Sequence, residues 1–325
     1  MLTTLLLVLL TFLALLAWAR ALRALAEAHG LQSVGVPALA APTTPAAPNQ
    51  KSDLSNQKFS ALLVAAVTAG AAGLFLYRWL VVHRAWQPVS AHVDGLLLIA
   101  ALLGGLVLYV QARPRITGFA AFALPLLALV LAWAICAAHF TYRPFALNTL
   151  HPLWHLLHLA SVYAGTALAA VAAVAGTMFL YLERRLKRRR PLPQPIASLE
   201  AIETLIIRTA TLGFALLTLG LVAGVVILFD APADAGPLPV YAYAPKLALA
   251  TLAWLAYALV MNVRHTSSFR GSRAAWLAIV GLVLLLATYG LVTGTSSHGD
   301  ATTTPTRDQP SAISHQPFAN SREVL

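Results

Sequence analysis

Residues 152–182, PLWHLLHLASVYAGTALAAVAAVAGTMFLYL, form a predominantly apolar stretch that is long enough to cross a bilayer. A helix rises ~1.5 Å per residue and a membrane's hydrocarbon core is ~30 Å thick, so about 20 apolar residues suffice. Backbone polar groups cannot stay unpaired in lipid, so such a stretch is predicted to be an α-helix. Seven further apolar stretches of similar character lie at residues 2–19, 59–82, 93–112, 116–138, 205–229, 245–263 and 274–294.

The composition supports the same class of protein. The 325 residues are 59% hydrophobic and 10% charged, with a mean hydropathy of +0.76. No soluble domain of this length has that balance. The sequence therefore predicts an all-α integral membrane protein, a polytopic bundle of about eight transmembrane helices. The predicted divisions are a first helix at 1–20, a flexible cytoplasmic linker at 21–58, a seven-helix membrane domain at 59–294 and an extracytoplasmic tail at 295–325.

Most of the positively charged residues are predicted to lie on one side of the membrane. The net charge is +11, and most of the 22 Lys and Arg residues lie in alternate connections, above all in the run ERRLKRRR at 183–190. Basic residues favour the cytoplasmic side, so this pattern predicts a bacterial inner-membrane protein with both termini extracytoplasmic. The charge is thus explained by the lipid bilayer, and nucleic acid is not expected as a partner.

Two classes of function are disfavoured by missing motifs. Cys136 is the single cysteine, so the chain carries neither CxxC nor CxxCH. It is therefore neither a thiol–disulfide carrier nor itself a c-type cytochrome. No paired carboxylates at catalytic spacing, nucleophile with a base or phosphate loop is evident, so no independent active site is assigned.

Histidines are concentrated at the predicted outer membrane face. In the segment HPLWHLLH, His151, His155 and His158 fall at i, i+4 and i+7, which is one helical face. Such a row can present an imidazole to a bound group, or it can simply reflect the comfort of histidine at a wet interface. His298 lies just beyond the outer end of the last helix. We expect the outer histidines of the fifth and eighth helices to face one another, and two opposed imidazoles would form a bis-histidine haem site.

The residues of the last two helices resemble a known family. In the stretch YAPKLALATLAWLAYALVMNVRHTSSFRGSRAAWLAIVGLVLLLATYG at 243–290, the chain is similar to the cytochrome c assembly family, the haem-handling membrane proteins typified by CcsA. It is closer still to the HemX-like branch, which has eight spans and lacks a large external domain. The matching positions are Pro245, Lys246, Trp254, Tyr257, Arg264, Phe269, Arg270, Gly271 and Tyr289.

The resemblance implies a site. His158 takes the place of the family's first external haem-ligand histidine, and His298 takes the place of the second. The cofactor implied is haem b, and the implied partners are cytochrome c assembly proteins or an apocytochrome c. His155 is expected to orient a ligand ring, Lys246 to bind a haem propionate or snorkel to water, and Trp254 to belong to the cofactor-binding set.

Two departures from the family pattern leave a second function open. The tryptophan-rich loop expected between the sixth and seventh helices is here FDAPADAGPLPVYAYAP, at 229–245, without a tryptophan. Asn262 stands where an intramembrane histidine is expected. The chain is therefore predicted to bind or position haem at the outer face for cytochrome c maturation, or alternatively to act as a cofactor-free adaptor or regulator of an assembly or tetrapyrrole-pathway partner.

Two other membrane functions fit less well. An electron-transfer cytochrome b needs paired histidines deep in the membrane, and no such pair is present here. A transporter is expected to carry intramembrane acids or helices broken at midplane. Asp94 lies near the end of a helix and Pro125 is the one clear interruption, so the pattern does not favour transport.

Overall fold

The computed structural model describes residues 2–33, 50–83, 92–113, 116, 118–139, 152–188, 198–229, 238–262 and 271–295. Within these ranges the chain is helical, with eight α-helices and one π-helical segment, Arg78–His83, that continues the second helix. The helices are α1 (Leu2–Ser33), α2 (Gln50–Tyr77), α3 (His92–Gln111), α4 (Phe119–Ala137), α5 (Pro152–Lys187), α6 (Leu199–Phe229), α7 (Leu238–Asn262) and α8 (Ser272–Thr295).

The prediction of a polytopic helical membrane protein is confirmed. In the described part of the chain, every α-helix except α7 is long and apolar enough to cross a membrane. The apolar part of α7 is shorter, Leu247–Asn262. Within the described residues, the predicted span at 245–263 corresponds to the apolar helical segment Leu247–Asn262.

The helices pack in two groups of four. Helices α1 to α4 contact one another, and α5 to α8 do the same. The groups meet where α3 and α4 pack against α5. Helix α5 is thus central, and 83% of its most apolar window is buried, the largest share of any candidate span in the described residues.

Small residues allow α5 to approach its neighbours closely. A Cβ added to Gly165 would lie 3.3 Å from the backbone oxygen of Gly213 in α6. A Cβ added to Gly176 would lie 2.9 Å from the backbone oxygen of Ala275 in α8. Lipid supplies no hydrophobic drive between helices, so close packing of this kind is a main source of association.

Several helix boundaries differ from the predicted ones, with the largest differences at the end of α1 and at the starts of α2 and α7. Helix α1 continues to Ser33 and α2 begins at Gln50, so helix covers both ends of the predicted linker 21–58. The extension of α1 is rich in Ala and Leu, which favour helix. Helix α7 begins at Leu238, so part of the predicted external loop is helical and Pro245 lies inside the helix. Hydropathy sets the membrane limit of a helix and does not mark where the helix itself ends.

The two ends of the bundle differ in charge. Tyr163 of α5 packs against Tyr289 of α8, so α5 begins where α8 ends; we call this the His158 end. The opposite end carries exposed basic side chains, and Arg20 stacks over the Phe59 ring at 4.4 Å. Further described basic residues there are Arg23, Arg113, Arg184, Lys187, Arg188 and Arg273. We therefore propose that the basic end is cytoplasmic.

This orientation is testable with two single-cysteine variants. With Cys136→Ser as background, we expect a membrane-impermeant maleimide to label His139→Cys in intact spheroplasts, because the exposed His139 follows the end of α4 at the His158 end. Arg188→Cys, exposed after α5, should be labelled only after permeabilisation. Labelling in the reverse order would contradict the orientation.

The close contact between α5 and α8 predicts the effect of one added methyl group. Gly176→Ala places a Cβ against the Ala275 backbone, which cannot rotate away, so we expect a loss of about 1–3 kcal/mol in stability. Gly105→Ala is the matched control, since its Cβ meets no atom within 4 Å. Thermal unfolding of the detergent-purified variants measures the difference. If Gly176→Ala and Gly105→Ala had equal melting temperatures, α5 and α8 could move apart without loss of stability, and the prediction would be wrong.

Candidate functional site

His158 is held by helix α6. Its ring nitrogen Nδ1 lies 2.7 Å from the carbonyl oxygen of Gly220. The side chain is half-buried, and it lies seven residues into α5, close to the His158 end. The ring therefore has a defined position between two helices.

Glycines in α6 make room for this ring. A Cβ added to Gly224 would lie 2.9 Å from Cε1 and 3.0 Å from Nδ1 of His158. One turn away, a Cβ on Gly220 would meet a methyl group of Val162 at 2.8 Å. Because Gly224 has no side chain, the imidazole can lie directly on the α6 backbone, while Gly220 leaves room for Val162.

The hydrogen bond also determines which nitrogen of His158 is available. A backbone carbonyl can only accept, so the neutral imidazole must carry its proton on Nδ1 and donate it to Gly220. The lone pair is then on Nε2. Metal-bound histidines commonly have this arrangement, in which the second ring nitrogen donates to a carbonyl that fixes the tautomer and orientation.

The sequence analysis did not single out these glycines. They form the motif GLVAG at 220–224, a GxxxG within an apolar helix, which is a recognised signal for close helix packing. The motif predicts a close approach. It does not indicate that the partner on α5 is a histidine.

The other predicted ligands are only partly described. His155 lies one turn before His158 and is half-buried. His151 and His298 lie outside the described residues, so the predicted pairing of His158 with His298 stays a prediction. Within the described ranges, no three His, Cys, Asp or Glu side chains are grouped to hold a metal ion. Lys246 lies in α7, and its side chain is outside the described part.

Trp254 packs between α6 and α7. Its Nε1–H donates to the Thr218 hydroxyl at 2.8 Å, and its ring lies 5.3 Å from that of Phe214. The Thr218 hydroxyl in turn donates to the Phe214 carbonyl. Thr218 and Gly220 are two residues apart on α6, so they lie on nearly opposite faces of the helix. Trp254, which contacts Thr218, and His158, which contacts Gly220, are therefore on different sides of α6. Its place in the cofactor-binding set stays a prediction.

A second polar group occupies the His158 end. The Arg78 Nε–H donates to the Asp94 carboxylate at 2.5 Å, and Asp94 is only 1% exposed. The sequence analysis placed Asp94 near a helix end but did not identify Arg78 as its partner. They are 16 residues apart, on α2 and α3, so the pairing depends on how the two helices lie together.

Comparison with known families agrees with this architecture. The model of the cytochrome C assembly protein family matches residues 89–296, which is more than half of the chain. The chain belongs to this family. The matched region begins before α3 and runs through α8, and it includes His158, Gly220 and Gly224. The resemblance noted in the sequence is therefore confirmed at the level of the family.

Similar proteins are found among cyanobacteria. A cytochrome c biogenesis protein CcsA from Synechococcus sp. (strain RCC307) is 35% identical over 95 residues, 29% of each chain. The CcsA of Prochlorococcus marinus (strain NATL1A) is 33% identical over 112 residues, 34% of each chain. The chain thus spans about a third of the length of these relatives, and no solved structure matches it.

The contact between Gly224 and His158 can be tested by a double-mutant cycle. We expect Gly224→Ala to cost about 1–3 kcal/mol, because the new Cβ overlaps the ring held by Gly220. In a His158→Ala background the same change should cost much less, since the ring is gone. Thermal unfolding measures the stability of the wild type, the two single variants and the double variant. Gly73→Ala is the control, because its Cβ meets no atom within 4 Å. Additive effects would show that the residues do not interact.

Proposed function

We propose that this protein is a cytochrome c assembly factor that binds haem at its extracytoplasmic face. The observation that carries the proposal is the hydrogen bond from His158 Nδ1 to the Gly220 carbonyl, which leaves the lone pair on Nε2. Imidazole is the common axial ligand of haem iron, and a ligand held by a second hydrogen bond is oriented before the metal arrives.

The residues proposed as ligands at the His158 end are of the type that holds haem b. Haem, when bound, would supply an iron that imidazole nitrogens can ligate. His158 is the first ligand of the proposal. His298 is the second, because α8 ends at the His158 end with Thr295 and His298 follows three residues later in the chain. His155, one turn from His158, supports the ligand ring, and Lys246 is assigned to a propionate.

Membership of the family supports the cellular role. The relatives are named cytochrome c biogenesis proteins, and the chain shares their family. We infer that haem held at the bacterial inner membrane is positioned here for an apocytochrome c, or for an assembly partner that attaches it. His158 and Gly220 act by orienting a ligand nitrogen, while the covalent attachment belongs to a partner.

One observation favours a second function, that of a cofactor-free adaptor. The segment between α6 and the apolar part of α7 contains no tryptophan. Trp254 is hydrogen-bonded to Thr218 where α6 and α7 pack together. An adaptor would keep the bundle and its partner-binding surface without holding a cofactor. The two functions differ in whether haem stays with the purified protein.

Absorbance of the purified protein separates them. We expect the wild type to show a Soret band, and His158→Ala and His298→Ala each to lose most of it, because each removes one axial ligand. His139→Ala is the matched control: His139 is an exposed histidine at the same end and outside the proposed site. If the two ligand variants hold as much haem as the wild type, the ligand assignment is wrong and the adaptor function is favoured.

A further inference from the structure

The Arg78–Asp94 ion pair is the start of a buried polar chain. Asp94 is the third residue of α3 and lies inside an apolar span. A carboxylate in that position is costly unless it is paired and hydrogen-bonded. Replacing a buried pair by apolar residues is often neutral or favourable, so stability alone does not explain why one is present.

The partner side chain lies on an unusual backbone. Arg78 is the first residue of the π-helical segment Arg78–His83, and its side chain is 14% exposed. Helical segments of this kind are rare and are often found at functional sites. The hydrogen bond from Arg78 to Asp94 therefore fixes the end of α2 against the beginning of α3.

Tyr163 links this pair to α5. A Cβ on Gly95 would overlap the Tyr163 hydroxyl, so that hydroxyl lies directly on the α3 backbone beside Asp94. Tyr163 is 8% exposed, so its hydroxyl is buried against α3. It lies five residues after His158 on the same helix. The ion pair is thus coupled to the helix that carries the proposed ligand.

Tyr289 extends the chain to α8. Its ring centroid lies 6.2 Å from that of Tyr163 with 32° between the planes. Tyr289 stands nine residues before His298 in the sequence. The tyrosine pair therefore joins the two helices that lead to His158 and His298, at the end of the bundle where both ligands are proposed.

We propose that Asp94, Tyr163 and Tyr289 are positioning residues that set the spacing of α5 and α8 at the His158 end. Arg78 donates to Asp94, the Tyr163 hydroxyl lies on the α3 backbone at Gly95 next to Asp94, and the Tyr163 ring packs against Tyr289. The helix spacing at this end depends on these protein contacts and not on bound haem. The role of this spacing in placing His158 and His298 for one iron rests on the function proposed above.

Distance measurements test the spacing without haem. Spin labels are placed at Leu156→Cys in α5 and Ala287→Cys in α8, both exposed positions, with Cys136→Ser as background. In double electron–electron resonance we expect Asp94→Asn and Tyr163→Phe to shift and broaden the distance distribution, since each weakens a contact of the chain. Arg78→Gln combined with Asp94→Asn should restore a narrow distribution, because two amides can bond without charge.

A matched control separates positioning from general loss of stability. Tyr257→Phe also removes a buried hydroxyl, one that donates to the Ala278 carbonyl between α7 and α8. We expect it to lower the melting temperature while the α5–α8 distance stays as in the wild type. If Asp94→Asn and Tyr163→Phe leave the distribution unchanged, or if Tyr257→Phe alters it equally, the inference is overturned.

Haem titration adds the second readout. We expect Asp94→Asn and Tyr163→Phe to bind haem roughly tenfold more weakly, as is typical when support around a ligand is removed. Unchanged affinity together with an altered distance would overturn the link to the ligands. If the wild type itself binds no haem, the proposed function fails, and the distance measurement still decides whether the polar chain sets the spacing.

Discussion

The close approach of α5 to its neighbours is the constraint on which the structure depends. In lipid, helices gain little from burying apolar surface against each other, so their association relies on contact between backbones and on a few polar bonds. Helix α5 meets α6 through Gly165 and Gly213, and it meets α8 through Gly176 and Ala275. These contacts place α5 in the middle of the bundle and fix which of its faces meets which helix.

The candidate site is a consequence of that packing. Because α6 offers a bare backbone at Gly220 and Gly224, the ring of His158 can lie against it and donate to a carbonyl. A larger residue at Gly224 would move the ring, and with it the nitrogen that is left to bind a metal. The same helix contact that stabilises the bundle therefore also selects the tautomer of its candidate ligand.

Polar side chains at the His158 end connect the two groups of four helices. The Arg78–Asp94 pair joins α2 to α3, and the Tyr163 hydroxyl rests on α3 next to it. Inside the spans, threonine hydroxyls donate to carbonyls one turn earlier in their own helix, as Thr166 and Thr209 do. Most intramembrane hydroxyls are thus satisfied locally. The Arg78–Asp94 pair, like the Trp254–Thr218 and Tyr257–Ala278 hydrogen bonds, instead connects different helices.

The sequence alone determined the class of the protein, the positions of its apolar helices, its family and His158 as a candidate ligand. These follow from hydropathy, charge and short motifs, which are properties measured along the chain. The tertiary structure decided that His158 offers Nε2, that Arg78 pairs with Asp94, and that Trp254 bonds to Thr218. Each of these depends on the rotation and crossing of helices, and those are set by contacts between residues far apart in sequence.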